Sequence, residues 1–269
     1  MTIPAISFAA GITPEATPAQ LVECAAQAKF DYGGMWVEKD SWTPATTRSI
    51  RKHLSDADVR LLDLEVLWIM PGPPDPWLDE MVDIAAELGA ANVLCVSSDP
   101  DPSATAAKLQ RLVERAQGTG VCVNLEFALF TEVKSLDAAI SIFEQIDGGS
   151  KGILFDTLHW SRTGSSTDDI ASVPAEWISY AQLCDAPAQA PDLTNPDAII
   201  DDAINQRCPL GQGGLDVAGM KDALPNGIAF AIEERSQALR DAFPDPIDRA
   251  KQVAKTTRAW LEERHKPSA

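Results

Sequence analysis

The sequence predicts an α/β fold, a single (β/α)8 TIM barrel over residues 1–269, and three observations predict it. Eight short apolar runs start at a spacing of about 30 residues, the length of one βα unit. The stretches between them carry helix signals, so the runs are joined by crossovers and lie parallel. No Gly-x-Gly-x-x-Gly turn follows the first run, although the rival open doubly wound sheet usually announces itself that way.

Taken in order, the first strand is expected at residues 5–8 and a helix at 17–28. The second and third strands follow at 32–37 and 61–66. The cluster Pro71-Gly72-Pro73-Pro74-Asp75-Pro76 reads as a rigid loop on the active face, and Pro76 opens a helix over 77–88 that Gly89 stops. The remaining strands are expected at 92–96, 121–127, 152–155, 178–183 and 228–232. A second polar loop, 185–195, follows the seventh strand, and residues 265–269 read as a frayed tail. Pro and Gly are dispersed, with no linker between domains.

Composition narrows the function. Forty Asp and Glu against 22 Lys and Arg give a formal charge of −18, so nucleic acid and anionic membrane are repelled and a small-molecule substrate is the expected partner. Apolar residues make up 45% of the chain, but no run reaches the roughly 20 residues of a membrane-spanning helix. Five scattered cysteines read as small core residues in a reducing compartment. The first basic residue is Lys29, so the amino terminus lacks the charged head of a secretory signal, and a cytoplasmic location is expected. Barrels of this kind often pair, which makes a homodimer the assembly to look for.

In such a barrel the active site is built at the carboxyl ends of the strands. Four late runs end in potential ligands: Glu126, Asp156, Gln182 and Glu233. Burying charges at the ends of apolar strands costs several kcal/mol unless they are paired or bound to a cation. Simpler roles are open: Asp156 as a helix N-cap, Glu126 or Glu233 as an arginine partner. Arg162, Arg207 and Arg235 are the basic residues near these ends. His159 lies three residues after Asp156, and Arg207 precedes the turn Gly211-Gln212-Gly213, which could bring backbone and guanidinium to an anionic or hydroxylated ligand. Trp36, Trp68 and Trp160 lie near strand ends and could floor a ring or pack the core.

The order of Glu126, the segment Asp156-Thr157-Leu158-His159, Gln182, Arg207 and Glu233 resembles the xylose isomerase-like TIM-barrel superfamily, and within it the sugar isomerases and epimerases of the D-tagatose 3-epimerase type. The resemblance implies that Glu126, Asp156, Gln182 and Glu233 are metal ligands. It also implies that Glu126 and Glu233 are the paired acid/base carboxylates, and that Glu132, His159 and Arg207 contact substrate. Gln182 stands where those epimerases usually carry histidine. The phrase Gln182-Leu183-Cys184-Asp185-Ala186-Pro187 is instead similar to bacterial 3-dehydroshikimate dehydratases. Three carboxylates and an amide oxygen suit one hard cation, Mg2+ or Mn2+. The implied activity is isomerisation or epimerisation of a small polyhydroxylated carbonyl compound through an enediolate. Dehydration of the dehydroshikimate type is the alternative, and a non-catalytic sugar-binding barrel is the third.

Overall fold

The computed structural model describes residues 3–265. Eight parallel strands close into a barrel in sequence order, β1 pairing with β8. They are β1 (Ile6–Phe8), β2 (Tyr32–Trp36), β3 (Arg60–Ile69), β4 (Asn92–Ser97), β5 (Cys122–Glu126), β6 (Lys151–Asp156), β7 (Tyr180–Leu183) and β8 (Ala229–Ile232). Each expected run holds a strand, and closure excludes the open sheet. The third strand extends to Ile69, three residues past its expected end.

The α-helices are α1 (Pro18–Gln27), α2 (Pro44–Ala57), α3 (Pro76–Leu88), α4 (Pro102–Ala116), α5 (Leu136–Phe143), α6 (Thr157–Arg162), α7 (Thr167–Ala171), α8 (Pro196–Asn205), α9 (Val217–Ala223), α10 (Gln237–Ala242) and α11 (Pro246–His265). Six of them, α1 to α4, α8 and α11, start with proline directly after a Thr, Asp or Asn whose side chain accepts a first-turn N–H. Proline there forfeits no helix bond and fixes φ for the first turn, so chain entry is set locally. Gly89 ends α3 at φ 72°. Of the expected tail, His265 is the last residue of α11 and residues 266–269 lie outside the described residues.

Most buried apolar side chains form one layer between strands and helices, including Leu64, Leu67, Val93, Leu125 and Phe155. A smaller cluster of Ala9, Leu62, Leu94, Val96, Leu154, Tyr180 and Ala231 fills the barrel interior. The floor is polar and closed: Ser179 Oγ bonds Asn92 Oδ1 and Asn124 Oδ1 at 2.8 and 2.7 Å, and Asn124 Nδ2 donates to Asn92 Oδ1 at 3.0 Å. All five cysteines are free, and Cys24, Cys95 and Cys184 are buried. No helix among the described residues is long and apolar enough to cross a membrane.

Candidate active site

Glu126 ends β5, Asp156 ends β6, Gln182 lies in β7 and Glu233 follows β8, so four neighbouring strands deliver four polar side chains to one place. All four are between 0% and 6% exposed. Gln182 joins two of the acids. Its side-chain oxygen faces Glu126 Oε1 and Glu233 Oε2 at 3.2 Å, and the opposite amide orientation would put its nitrogen there as a donor to both.

Arg207 lies among the same acids and is 2% exposed. Its Nη1 donates to Asp156 Oδ2 at 2.6 Å and stands 3.0 Å from Glu233 Oε2. Its Nε donates to the Ala203 carbonyl at the end of α8, 2.8 Å away. Arg207 thus supplies one of the counter-charges that the buried acids require. Asp156 also has the simpler role: its Oδ1 accepts from the N–H groups of Leu158 and His159 and caps α6.

These surroundings push the acids apart. Burial raises Asp156, but the Arg207 guanidinium, His159 and the hydrogen bonds to it outweigh that and hold its carboxyl below the usual range. Burial, reinforced by the charges of Asp156 and Glu233, drives Glu126 well above it. Burial also pushes Glu233 up to about 7, against the pull of Arg207. One acid is thus held toward its ionised form and two are pushed toward their protonated forms, a division suited to acid/base work. His159 is buried and lowered to about 4, chiefly by desolvation. It is a neutral ring with Nε2 3.4 Å from Arg207 Nη2 and its edge against Phe130.

The cavity above these residues measures about 590 Å3. Glu126, His159, Arg207 and Glu233 line it together with Glu65, Arg235 and an apolar wall that includes Trp36, Val66, Trp68, Leu94, Val96 and Phe130. Trp77 also lines it, whereas Trp160 is buried in the core. Glu132 is not brought to the site: its side chain is exposed, lies 3.5 Å from Lys134 and is absent from the cavity wall. The glycine-rich turn after Arg207 offers no free amides for a ligand at its centre. Gly211 and Gly213 both donate to Asp185 Oδ2, at 3.0 and 2.9 Å.

Sequence reasoning passed over Asp63 and Glu65. Both lie on β3 inside the barrel, and Glu65 reaches the cavity. Burial raises Asp63 to about 7; burial and then the neighbouring Asp63 raise Glu65 to about 8.

Among the described residues no group of three or more His, Cys, Asp or Glu side chains is arranged so that it could hold a metal ion as it stands. The donor chemistry still fits a hard cation. Three carboxylates and one amide make an all-oxygen donor set of the kind a hard cation takes, and without a cation the Gln182 amide satisfies Glu126 and Glu233 by turning its nitrogen to them. Glu126, Asp156, Gln182 and Glu233 are the residues that would hold it, with Arg207 drawing back from Asp156 and Glu233.

The family model described as xylose isomerase-like TIM barrel matches residues 22–264. The chain belongs to that family. Within the family's reach, the chain is 31% identical over 143 residues to the 3-dehydroshikimate dehydratase of Pseudomonas aeruginosa. That match covers 51% of this chain and 22% of the relative, so the chain spans well under half of that protein's length. Among solved structures, this xylose isomerase-like barrel superposes on the IolI protein with a bound zinc atom at a TM-score of 0.80 and 16% identity, covering 98% of this chain and 100% of that one. It superposes on the D-allulose 3-epimerase of Methylomonas sp. in complex with D-allulose at 0.71 and 13%, covering 98% of each chain. At those identities the likeness is one of fold.

Proposed function

We propose that this protein is a divalent-cation-dependent isomerase or epimerase that removes a proton beside the carbonyl of a small polyhydroxylated compound and returns it elsewhere. The observation that carries the reading is the convergence of Glu126, Asp156, Gln182 and Glu233 at the base of one cavity, with two carboxylates on separate strands, Glu126 and Glu233, on its wall. Glu126, Asp156, Gln182 and Glu233 would hold the cation, Mg2+ or Mn2+ by their all-oxygen donor set. When bound, such an ion supplies Lewis acidity that polarises a substrate carbonyl and makes the adjacent C–H more acidic.

The chain's own residues do the rest. Glu126 and Glu233 reach the substrate from separate strands, one taking the proton and the other giving one back. Arg207 keeps Asp156 ionised and offers its remaining N–H groups to substrate oxygens beside His159, whose neutral ring accepts or donates one hydrogen bond. The apolar wall excludes water from the proton being moved.

The enediolate formed on proton removal can alternatively lose a β-hydroxyl. Dehydration is favoured by the 31% identity to a 3-dehydroshikimate dehydratase and by the amide at position 182. One experiment separates the outcomes. The protein with Mn2+ is incubated with hydroxy-ketones and hydroxy-aldehydes in D2O and followed by NMR and ultraviolet absorbance. Isomerisation or epimerisation incorporates deuterium without loss of mass, while dehydration produces a conjugated chromophore. Glu126→Gln and Glu233→Gln should each slow exchange at least about 100-fold. Exchange that survives in both variants would overturn the reading.

A further inference from the structure

We propose that Arg235 reads a carboxylate on the substrate, so that the cavity takes a small hydroxylated acid in preference to a neutral sugar. The proposal rests on the cavity being the substrate site.

Three cationic side chains line that cavity, and two of them are engaged. Arg207 is bound to Asp156 and Glu233. Lys39 lies exposed on the rim, 2.9 Å from Asp75 Oδ2. The Arg235 guanidinium is neither hydrogen-bonded nor ion-paired among the described residues, and both Glu65 and Glu233 lie beyond ion-pair distance from it. Its charge draws both carboxyls down from that distance while its N–H donors stay unused.

Arg235 is nonetheless held in place. Its guanidinium carbon sits 5.5 Å from the centroid of the Trp36 ring. Trp36 is fixed in turn by its indole N–H, which donates to Glu65 Oε2 at 2.8 Å. The Arg235 stem packs against Gly11, where a Cβ would come within 2.8 Å of Arg235 Cδ. Its backbone carbonyl accepts from the Arg207 N–H at 3.2 Å, tying the two arginines' segments together. A long side chain loses rotamer entropy when clamped between a glycine and an aromatic ring. A clamped, unpaired guanidinium at the wall of a cavity presents a planar fork of donors, which matches a carboxylate two bonds at a time. The rest of the wall, with Val66, Leu94 and Val96, gives few partners to a molecule hydroxylated on every side.

The test is calorimetric and needs no turnover. Shikimate, quinate and gluconate are each titrated into the Mg2+-supplemented protein beside their primary amides. Wild-type protein should bind at least one acid about 10-fold more tightly than its amide, the scale of one charge-assisted contact. Arg235→Gln should abolish that preference while Arg235→Lys keeps part of it, and Gly11→Ala, which displaces the stem, should weaken it. Equal binding of acid and amide in every pair, absence of binding in all three, or a preference that survives Arg235→Gln overturns the proposal. Failure of deuterium exchange with an intact acid preference would count against the enolisation reading alone.

Discussion

Arg207 decides the electrostatics of the site residue by residue. Removing it would leave Asp156 and Glu233 buried with no guanidinium between them. Arg207→Met is therefore expected to lower stability by about 3–5 kcal/mol at pH 8, measured by urea unfolding. The loss should shrink toward pH 5, because Glu233, raised to about 7, can then take a proton. Asp63 gives the complementary case. Both its carboxylate oxygens, Glu65 Oε1 and the Tyr180 hydroxyl are buried without a hydrogen bond among the described residues. Burial holds Asp63 at about 7 in the folded chain, above its unfolded value of about 4. The folded state thus keeps a proton that the unfolded chain releases, and this contribution to stability is complete below pH 4 and is lost as pH climbs toward 7. Asp63→Asn should flatten the fall in stability between pH 5 and 7, stabilising the protein more at the upper end. A pH profile parallel to wild type in thermal unfolding would contradict it.

At the scale of elements, Asp185 joins the loop after β7 to the segment that carries Arg207. Its backbone exchanges two bonds with Cys208, and its carboxylate accepts from Ala186, Gly211, Gly213 and Leu215. Asp185→Ala strands these amides, and is expected to cost about 3 kcal/mol and to speed hydrogen exchange at Gly211, Gly213 and Leu215. Activity should fall as well, since Arg207 rides on the same loop. Nothing in Asp185 as a letter distinguishes it from a solvated loop acid, because three of its carboxylate's four partners are backbone groups 26 to 30 positions away in sequence. The strands were legible for the opposite reason: buried parallel strands read as apolar runs, and a strand-end acid such as Glu126 interrupts one visibly. The acids within a run were misleading. In Leu61-Leu62-Asp63-Leu64-Glu65-Val66, alternation looks like a water-facing side, but a closed parallel barrel has no such side and these carboxylates enter its interior. Arg235 was visible as a nearby cation, yet its clamp needed Gly11 and Trp36, which only the fold brings to it.

For the molecule as a whole, the four candidate donors come from β5, β6, β7 and β8 with its following loop, so a ligand that engages all of them fastens half the barrel. Whatever binds the folded chain and not the unfolded one raises its stability by mass action, about 2.7 kcal/mol when its concentration is 100 times its dissociation constant. In a domain of this size that corresponds to a rise of about 5–10 °C in Tm. Mn2+ or Mg2+ is expected to give such a rise and EDTA to reverse it. A rise alone would not locate the ion, because a chain with a formal charge of −18 repels itself and any added salt screens that repulsion. The informative quantity is a difference. Gln182→Met keeps a side chain of similar length in β7 while removing the amide that faces Glu126 and Glu233. It should retain the general salt response, measured with NaCl at matched ionic strength, and lose most of the extra rise with Mn2+. Equal rises in the two proteins would mean that the cation acts on the surface as a counterion, and that the acids at the strand ends are balanced by Arg207 and by their own protons.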